Sequence, residues 1–303
     1  MTSITITDLF TTIFVLVDDW YQDHGKQLLQ GKVGSKSEFS DSEVITLVLA
    51  MDFIPFPSET QFLGFIRANY LDLFPKLLDQ SQFNRRARNL RLMVEQFRRS
   101  WLKNLGITQK RFFLLDTKPV PVVGVKRFNR RSNFAGSADY GHCASRSLTY
   151  FGYKLVAITT LEGLLEACDL VAANTDEREA AEVILGALQG CHIIADKGFV
   201  GEFWQDFIHE QTGNRIWTTK RNNQYIQNPP ELDRWLISVR DRIEGVFHEL
   251  TDTGRNLEKL LAKTIIGLAT RIIAKVTSHA LRHLLPLKFG FKVLTFETAA
   301  FCS

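Results

Sequence analysis

The 303-residue sequence has few cysteines and no long apolar run. Its four cysteines are scattered, with no CxxC pair and no histidines at zinc-ligand spacing, which argues against a disulfide framework or a zinc site. The apolar stretch from Ile13 ends at Val17, far short of a membrane span, and the N-terminus lacks the basic segment of a signal peptide. We therefore expect reduced thiols, a cytoplasmic protein and no membrane partner.

The sequence also lacks internal repeats and low-complexity segments. It contains 8 prolines and 19 glycines, with 45% apolar and 23% charged residues, which excludes a fibrous or largely disordered chain. A chain of this length can bury a sizeable core without disulfides or a structural metal, and it suits one or two domains.

Positive charge is concentrated in one part of the chain. The net charge is +4, but residues 81–131 contain 14 basic and two acidic residues, so this basic region carries +12 and the remainder −8. Such a region suits a polyanion such as DNA, although a solvated helix face remains an alternative. The candidate DNA contacts, from this region and from later loops and helices, are Arg85, Arg86, Arg88, Lys126, Arg127, Arg130, Arg131, Lys197, Lys220, Arg221 and Arg240.

Apolar residues at three-to-four spacing predict helices up to about residue 105. Ser40 and Ser58 stand at the expected starts of two of them. A long amphipathic helix that carries most of the arginines is expected to end at Gly106. These features predict a helical domain over residues 1–105, and no spacing identifies a helix-turn-helix recognition helix.

From residue 110 the pattern changes to short β runs alternating with helices. The order is three strands, then helix, strand, helix, strand and helix, with a basic loop between the first two strands. This order predicts an α/β domain over residues 106–255, in which a mixed sheet carries helices on its faces. A helical extension follows over residues 256–303.

Two aspartates stand at the ends of apolar strands. Asp116 follows RFFLL and Asp196 follows HIIA, positions from which a side chain can leave the core. Taken singly, an aspartate at a strand end is more often a turn former or a helix cap. Each residue becomes a functional candidate only in combination with other acids.

The third candidate comes from helical geometry. In the helix around residue 240 the buried stripe contains Leu236, Val239 and Ile243, and Glu244 lies beside it. Asp241 is less favourably directed but is not excluded. Arg240 precedes Glu244 by one turn and could bind its carboxylate or a phosphate; a surface ion pair between the two is the alternative.

Together the three acids suit phosphoryl transfer. Two Mg²⁺ ions about 4 Å apart can activate the attacking oxygen and stabilise the leaving one, and carboxylates from separate elements can hold them. We therefore expect Asp116, Asp196 and Glu244 to be both the metal ligands and the catalytic residues.

The motifs around these acids are LLDTKPVPV, IIADKGFVGE and RDRIEGVFHEL, separated by 80 and 48 residues. With SDSEVITLVLA and SQFNRRARNLR they make nearly the whole chain resemble the DDE transposases of bacterial insertion sequences, and it looks most like the family of insertion sequence 982. That group belongs to the RNase H-like superfamily with the retroviral integrases. Arg240 and Glu244 match the Tyr-x2-Arg-x3-Glu-x6-Lys signature of related proteins, whereas Ile237 and Thr251 replace its tyrosine and lysine.

The resemblance implies an RNase H-like catalytic domain, a mixed five-stranded sheet flanked by helices, preceded by a small all-helical domain that binds DNA ends. It also implies a transposase that cleaves DNA at the terminal inverted repeats of its element and transfers the 3′ ends to target DNA. Two Mg²⁺ ions, for which Mn²⁺ can substitute, would be the cofactor. Water and then the 3′-hydroxyl would be the nucleophiles, so no covalent protein–DNA intermediate would form.

The implied partners are double-stranded DNA, as terminal inverted repeats and as target, and a second copy of the chain in the DNA complex. The implied location is the bacterial cytoplasm, at the nucleoid when DNA is bound. Two alternatives remain open at this point. A stand-alone RNase H-like nuclease would share the acids, and a non-catalytic DNA-binding protein from a decayed element would retain the basic region.

Overall fold

A computed structural model of the chain describes residues 4–28, 37–54, 56–123, 132–143, 147–220, 225, 227–254 and 256–290. Its contacts divide the chain into two compact units. The helical unit comprises Met1–Trp101 and Leu250–Ser303, and the sheet unit comprises Leu102–Glu249. The domain limits and roles predicted from the sequence remain predictions. No helix of the described part is long and apolar enough to cross a membrane.

The helical unit is built from α-helices whose starts and ends follow from the sequence. Ser40 forms a capping box with Glu43, and Ser58 Oγ accepts a hydrogen bond from the backbone N–H of Gln61 at 3.2 Å, as their positions predicted. Gly106 follows the long helix with a φ of +70°, the left-handed conformation that ends helices. The helices are α1 (Ile6–Trp20), continued by a π-helical turn (Tyr21–Gly25) and by the single turn α2 (Lys26–Leu28), then α3 (Asp41–Ala50), α4 (Glu59–Asn69) and α5 (Gln80–Asn104).

A C-terminal helix of 25 residues (Ile265–Phe289) packs inside the helical unit, and we number it α9 in chain order. Its Ala274, Leu281 and Leu285 belong to the same buried cluster as residues of α1, α3, α4 and α5. The buried Lys275 donates to the carbonyl of Thr253 at 2.8 Å, and its Nζ lies 3.4 Å from Asp52 Oδ1. The helix is therefore a core element of this unit.

The sheet unit contains one mixed sheet with helices on both faces, as predicted. The strands are β1 (Phe112–Val123), β2 (Asp139–Cys143), β3 (Leu148–Thr160), β4 (Leu165–Ala172), β5 (His192–Ala195) and β6 (Arg215–Thr218), and the helices are α6 (Glu177–Leu185), α7 (Glu202–Thr212) and α8 (Pro230–Asp252). The order of the strands is β2-β3-β1-β5-β6, and β4 also pairs with β3. The pairs of β3 with β1, β2 and β4 are antiparallel, and the pairs of β5 with β1 and β6 are parallel.

Within the described residues the sheet has six strands, one more than predicted. The additional strand, β2, lies in the segment that the sequence assigned to a basic loop, and it pairs with the first residues of β3. Its sequence, DYGHC, has no alternation of apolar and polar residues, so no strand signal was visible. Gly141 lets it approach β3, because a Cβ there would lie 2.8 Å from the ring of Tyr150.

Strand β1 is longer than its apolar run. It continues past Asp116 through Pro119 and Pro121, where it pairs only with β3, because its parallel partner β5 ends opposite Leu115. Proline is tolerated there because one side of the strand has no ladder and needs no N–H donor.

The two faces of the sheet are covered by different helices. On one face, residues of α6 and α7 form a buried cluster with β1 and β5 that includes Phe113, Leu115 and Ile193. Lys118 of β1 points to the other face, where its Nζ lies 6.0 Å from the centre of the Phe247 ring of α8. The buried stripe predicted for α8 is confirmed, since its members Leu236, Val239, Ile243 and Val246 are all buried.

Candidate active site

Asp116 and Asp196 lie side by side, Asp116 within β1 and Asp196 directly after β5. Leu115 and Ala195 are partners in the parallel ladder of β1 and β5, and each aspartate is the next residue along its strand. Asp196 caps a short 3₁₀ turn (Lys197–Phe199), where its carboxylate accepts the N–H of Lys197. The parallel pairing of β1 and β5 thus brings together two acids from distant parts of the chain, at the point where that ladder ends. The sequence placed Asp116 at the end of a strand, but β1 continues past it, paired with β3.

Arg240 of α8 connects the two aspartates electrostatically. Its Nη2 lies 3.5 Å from Asp196 Oδ2, and the side chain is 19% exposed against 44% for Asp196. Its charge also lowers the pKa of Asp116. The sequence suggested that Arg240 would bind Glu244 or a phosphate; in the structure its acidic partner is Asp196.

The pKa of Asp116 is raised to about 7. Burial is the main cause, and the negative charges of Asp196 and Glu177 add to it. A hydrogen bond from the backbone N–H of Thr117, at 2.7 Å to Oδ1, and the charge of Arg240 act in the opposite direction. The loss of solvation on burial therefore outweighs the hydrogen bond from Thr117 and the charge of Arg240.

Glu244 lies one helical turn beyond Arg240 and is exposed to solvent. Among the described residues, the structure gives no direct contact between Glu244 and either aspartate. The role of Glu244 as the third catalytic acid therefore remains a prediction, supported by its helix and its spacing from Arg240.

Glu177, the first residue of α6, was not among the candidates from the sequence. Thr117 Oγ1 donates a hydrogen bond to Glu177 Oε1 at 3.1 Å, and the charge of Glu177 raises the pKa of Asp116. In the sequence it looks like one of several acids in the first turn of a helix, so no local signal distinguished it.

The candidate DNA contacts of the sheet unit are only partly visible. Lys197 is exposed and Lys220 is half-buried. The candidates outside the described residues are Lys126, Arg127, Arg130, Arg131 and Arg221.

In the helical unit, the three candidate arginines have different surroundings. Arg85 is exposed on α5, whereas Arg88 is half-buried and its Nε lies 3.4 Å from the carbonyl of Asn84. Arg86 is bound internally: it donates to Ser37 Oγ at 2.9 Å, to the carbonyl of Phe39 and to Asp41 Oδ1 at 2.5 Å. Arg85 is thus the most accessible of the three.

The donor set of the sheet unit suits a hard divalent cation. Asp116 and Asp196 offer carboxylate oxygens, the ligands that Mg²⁺ and Mn²⁺ prefer. Burial is the main reason that the pKa of Asp116 is raised, with a smaller contribution from the charge of Asp196, and a bound cation would favour the ionised carboxylates.

Comparison with known protein families identifies the group. The family model described as Transposase DDE domain matches residues 107–281, more than half of the chain. The chain belongs to this family. As a DDE transposase it is a DNA-cleaving enzyme whose partner is DNA, in a family that generally uses divalent metal ions. No curated protein and no solved structure matches it.

Proposed function

We propose that this transposase cleaves DNA at the terminal inverted repeats of its own element and transfers the freed 3′ ends to target DNA. The main support is the arrangement of Asp116 and Asp196 next to each other where the ladder of β1 and β5 ends, with Arg240 beside Asp196, in a chain of the Transposase DDE family. The two acids are 80 residues apart in the sequence, so only the fold brings them together.

In this proposal Asp116, Asp196 and Glu244 hold two Mg²⁺ ions, which Mn²⁺ can replace. When bound, the ions would supply positive charge at the attacking and leaving oxygens of an in-line displacement at phosphorus. Water and then the 3′-hydroxyl are the nucleophiles, so no side chain forms a covalent bond to DNA.

Arg240 would not bind the metal ions but would act on the acids and on the DNA. Its guanidinium compensates the charge of Asp196 and lowers the pKa of Asp116, which favours the ionised carboxylates that ligate a cation. Its planar fork also suits a phosphate oxygen, so it would contact the DNA backbone next to the reacting phosphate.

DNA ends would be held partly by α5. Exposed residues that recur at three-to-four spacing along one face of α5 include Arg85, Asn89, Leu92 and Gln96. Arg99 continues this face and is paired with Glu95 at 2.8 Å. Arginines suit phosphates, and the two amides can hydrogen-bond to DNA. The remaining proposed contacts are Arg88, Lys126, Arg127, Arg130, Arg131, Lys197, Lys220, Arg221 and Arg240. Arg86 is no longer proposed, because Ser37, Phe39 and Asp41 bind it within the protein. Because two ends must be joined, we propose that a homodimer acts on DNA, in the cytoplasm at the nucleoid.

The test uses DNA from both flanks of the reading frame as substrate, with Mg²⁺ present. Asp116→Asn, Asp196→Asn and Glu244→Gln should each abolish cleavage and leave binding of the ends within about threefold of the parent. Asp206→Asn changes an exposed acid of α7 and serves as the matched control. Parental cleavage by any of the three variants would remove that residue from the site. Cleavage without preference for the flanks would favour a stand-alone nuclease.

A further inference from the structure

Three aromatic side chains form a stack near the beginning of β1, β5 and β6. The rings of Phe112 on β1 and His192 on β5 are stacked, with their centres 4.8 Å apart and their planes inclined by 15°. The ring centre of Trp217 on β6 lies 6.0 Å from that of His192, at an angle of 34°. Phe112 is 43% exposed, and the other two residues are half-buried. This aromatic stack therefore reaches the surface of the sheet unit.

A hydrogen bond orders the middle of the aromatic stack. The indole Nε1–H of Trp217, which can only donate, lies 3.0 Å from His192 Nδ1. Nδ1 therefore accepts, so the imidazole is neutral and carries its proton on Nε2. The bond orients both rings, and the stack is thus ordered before any ligand binds. Such preorganisation lowers the entropic cost of binding.

The aromatic stack is separate from the candidate active site. Every second side chain of a strand points to the same face, so Phe112 shares the face of Asp116. The two residues are four positions apart, which is roughly 13 Å along the strand. Leu114, midway between them, is completely buried, whereas Phe112 is exposed. The stack is thus a surface feature at the other end of the same strand face.

A cation stands beside the aromatic stack. Arg215, the first residue of β6, is the ladder partner of His192, so the two side chains lie next to each other on one face of the sheet. Arg215 is exposed, and it takes part in none of the ion pairs among the described residues. Exposed rings next to a cation are the combination that binds single-stranded nucleic acids, because bases stack on the rings and the cation attracts a phosphate.

We propose that the aromatic stack and Arg215 form a binding site for unpaired bases of DNA. A base stacks on the exposed ring of Phe112, and Arg215 contacts a neighbouring phosphate. DNA is the ligand that the family of this chain acts on. The inference goes beyond the proposed function, because the site requires neither a metal ion nor a cut at a defined DNA end.

A purely structural role of the aromatic stack makes a different prediction. Aromatic pairs across neighbouring strands stabilise a sheet, and substitution then changes stability alone. A site for unpaired bases changes the affinity for single strands while the fold and the affinity for duplex DNA stay the same. Comparison of the two kinds of DNA therefore separates the roles.

The experiment measures binding of a labelled oligothymidylate of about 12 nucleotides, and of a duplex of equal length, to the full-length protein in EDTA by fluorescence anisotropy. The parent should bind the oligothymidylate. Phe112→Leu keeps an apolar side chain without the ring, and it should weaken that binding by about tenfold while duplex binding stays within about twofold. Phe112→Tyr keeps the ring and should bind as the parent does.

Two further variants complete the set. Arg215→Met should weaken oligothymidylate binding and make its logarithmic salt dependence shallower by about 0.7, the contribution of one phosphate contact on a single strand. Phe203→Leu is the matched control, because Phe203 is 95% exposed on α7 but stands beside the acids Glu202 and Asp206. It should bind both kinds of DNA as the parent does.

Circular dichroism and melting temperature establish that each variant is folded. Parental binding of the oligothymidylate by both Phe112→Leu and Arg215→Met would overturn this inference, as would a parent that does not bind the oligothymidylate. An equal loss of single-strand and duplex binding in Phe112→Leu would overturn it as well. None of these results affects the proposed function, which is tested separately by the cleavage of flanking DNA in Mg²⁺.

Discussion

Arg240 is the cation that the structure pairs with Asp196, and its charge also acts on Asp116. Replacing it by methionine leaves the acids of this site without that compensation. Because Arg240 and a divalent cation would neutralise the same carboxylates, we expect Arg240→Met to lower the melting temperature without metal and to gain more than the parent from Mg²⁺. Thermal unfolding with and without Mg²⁺ measures both effects.

Arg234→Met is the matched control, because Arg234 lies on the same helix and its pair with Glu231 is exposed at both ends. An exposed pair of this kind contributes at most about 1 kcal/mol. An Mg²⁺ response in Arg240→Met no larger than in Arg234→Met would show that Arg240 does not share its acids with a cation.

Two adjacent arginines of α5 should respond differently to substitution. Arg85 is exposed, so Arg85→Ala should change the free energy of unfolding by less than about 0.5 kcal/mol while weakening DNA binding. Arg86→Ala removes donors from Ser37, Phe39 and Asp41, and should destabilise the protein by about 1 to 3 kcal/mol. Urea unfolding and DNA titrations of both variants test this; equal stability of the two would refute the assignment.

The ion pairs of Glu95 predict how the stability of the fold changes with pH. Burial alone would raise its pKa, but hydrogen bonds and charges from Arg98 and Arg99 outweigh burial and lower it. A lowered pKa in the folded state contributes stability above the ordinary glutamate pKa of about 4.3, and this contribution is lost as the pH falls below that value.

Glu95→Gln should therefore be less stable than the parent at pH 7, by about 1 to 3 kcal/mol, and the difference should shrink at pH 3. Unfolding by urea at the two pH values measures it. A difference that stays constant between pH 7 and pH 3 would mean that the charge of Glu95 does not stabilise the fold.

At the scale of elements, α9 is the clearest case of a segment whose role depends on packing. Leu281 is 1% exposed and belongs to the core of the helical unit, whereas Leu287 on the same helix is 75% exposed. Leu281→Ala should cost about 2 to 5 kcal/mol of unfolding free energy, and Leu287→Ala less than about 0.5 kcal/mol. Similar effects of both substitutions on denaturant unfolding would contradict a core position for α9.

The sequence predicted most helices and strands because their signals are local. A capping residue such as Ser40, and the apolar stripe at three-to-four spacing in α8, can be recognised from neighbours within a few residues of the sequence. The packing of α9 depends instead on contacts such as that of Ser278 Oγ with the carbonyl of Leu49, 2.9 Å away in space and 229 positions away in the chain. Local patterns contain no information on such a contact, and β2 likewise forms only by pairing with β3.

The candidate site also contains residues that a local pattern predicts and contacts that only the packing of the fold creates. Asp116 and Asp196 were identifiable because each directly follows an apolar run in the sequence. The contact of Glu177 with Thr117 and the pairing of Arg240 with Asp196 could not be identified from the sequence, because both depend on how α6 and α8 pack on the sheet. Helical periodicity predicts only which residues share a face of a helix.

For the whole molecule, the charge of the basic region overstates what is available to DNA. Of its 14 basic residues, several already have acceptors within the protein. Arg98 is buried and paired with Glu95, Lys110 pairs with Glu162 at 2.7 Å, and Arg86 is bound to Asp41. Cations held in this way release fewer counterions when DNA binds than exposed ones do.

The salt dependence of DNA binding tests this distribution. If all 14 basic residues contacted phosphates, the logarithm of the association constant would fall with the logarithm of salt concentration at a slope of about −13, since each contact contributes about −0.9. Because some are engaged internally, we expect a clearly shallower slope in fluorescence anisotropy titrations of labelled end DNA between 50 and 200 mM salt. Arg85→Ala should make it shallower by about one further unit, whereas Lys110→Gln should leave it nearly unchanged. A slope near −13 would mean that DNA displaces the internal partners of these side chains.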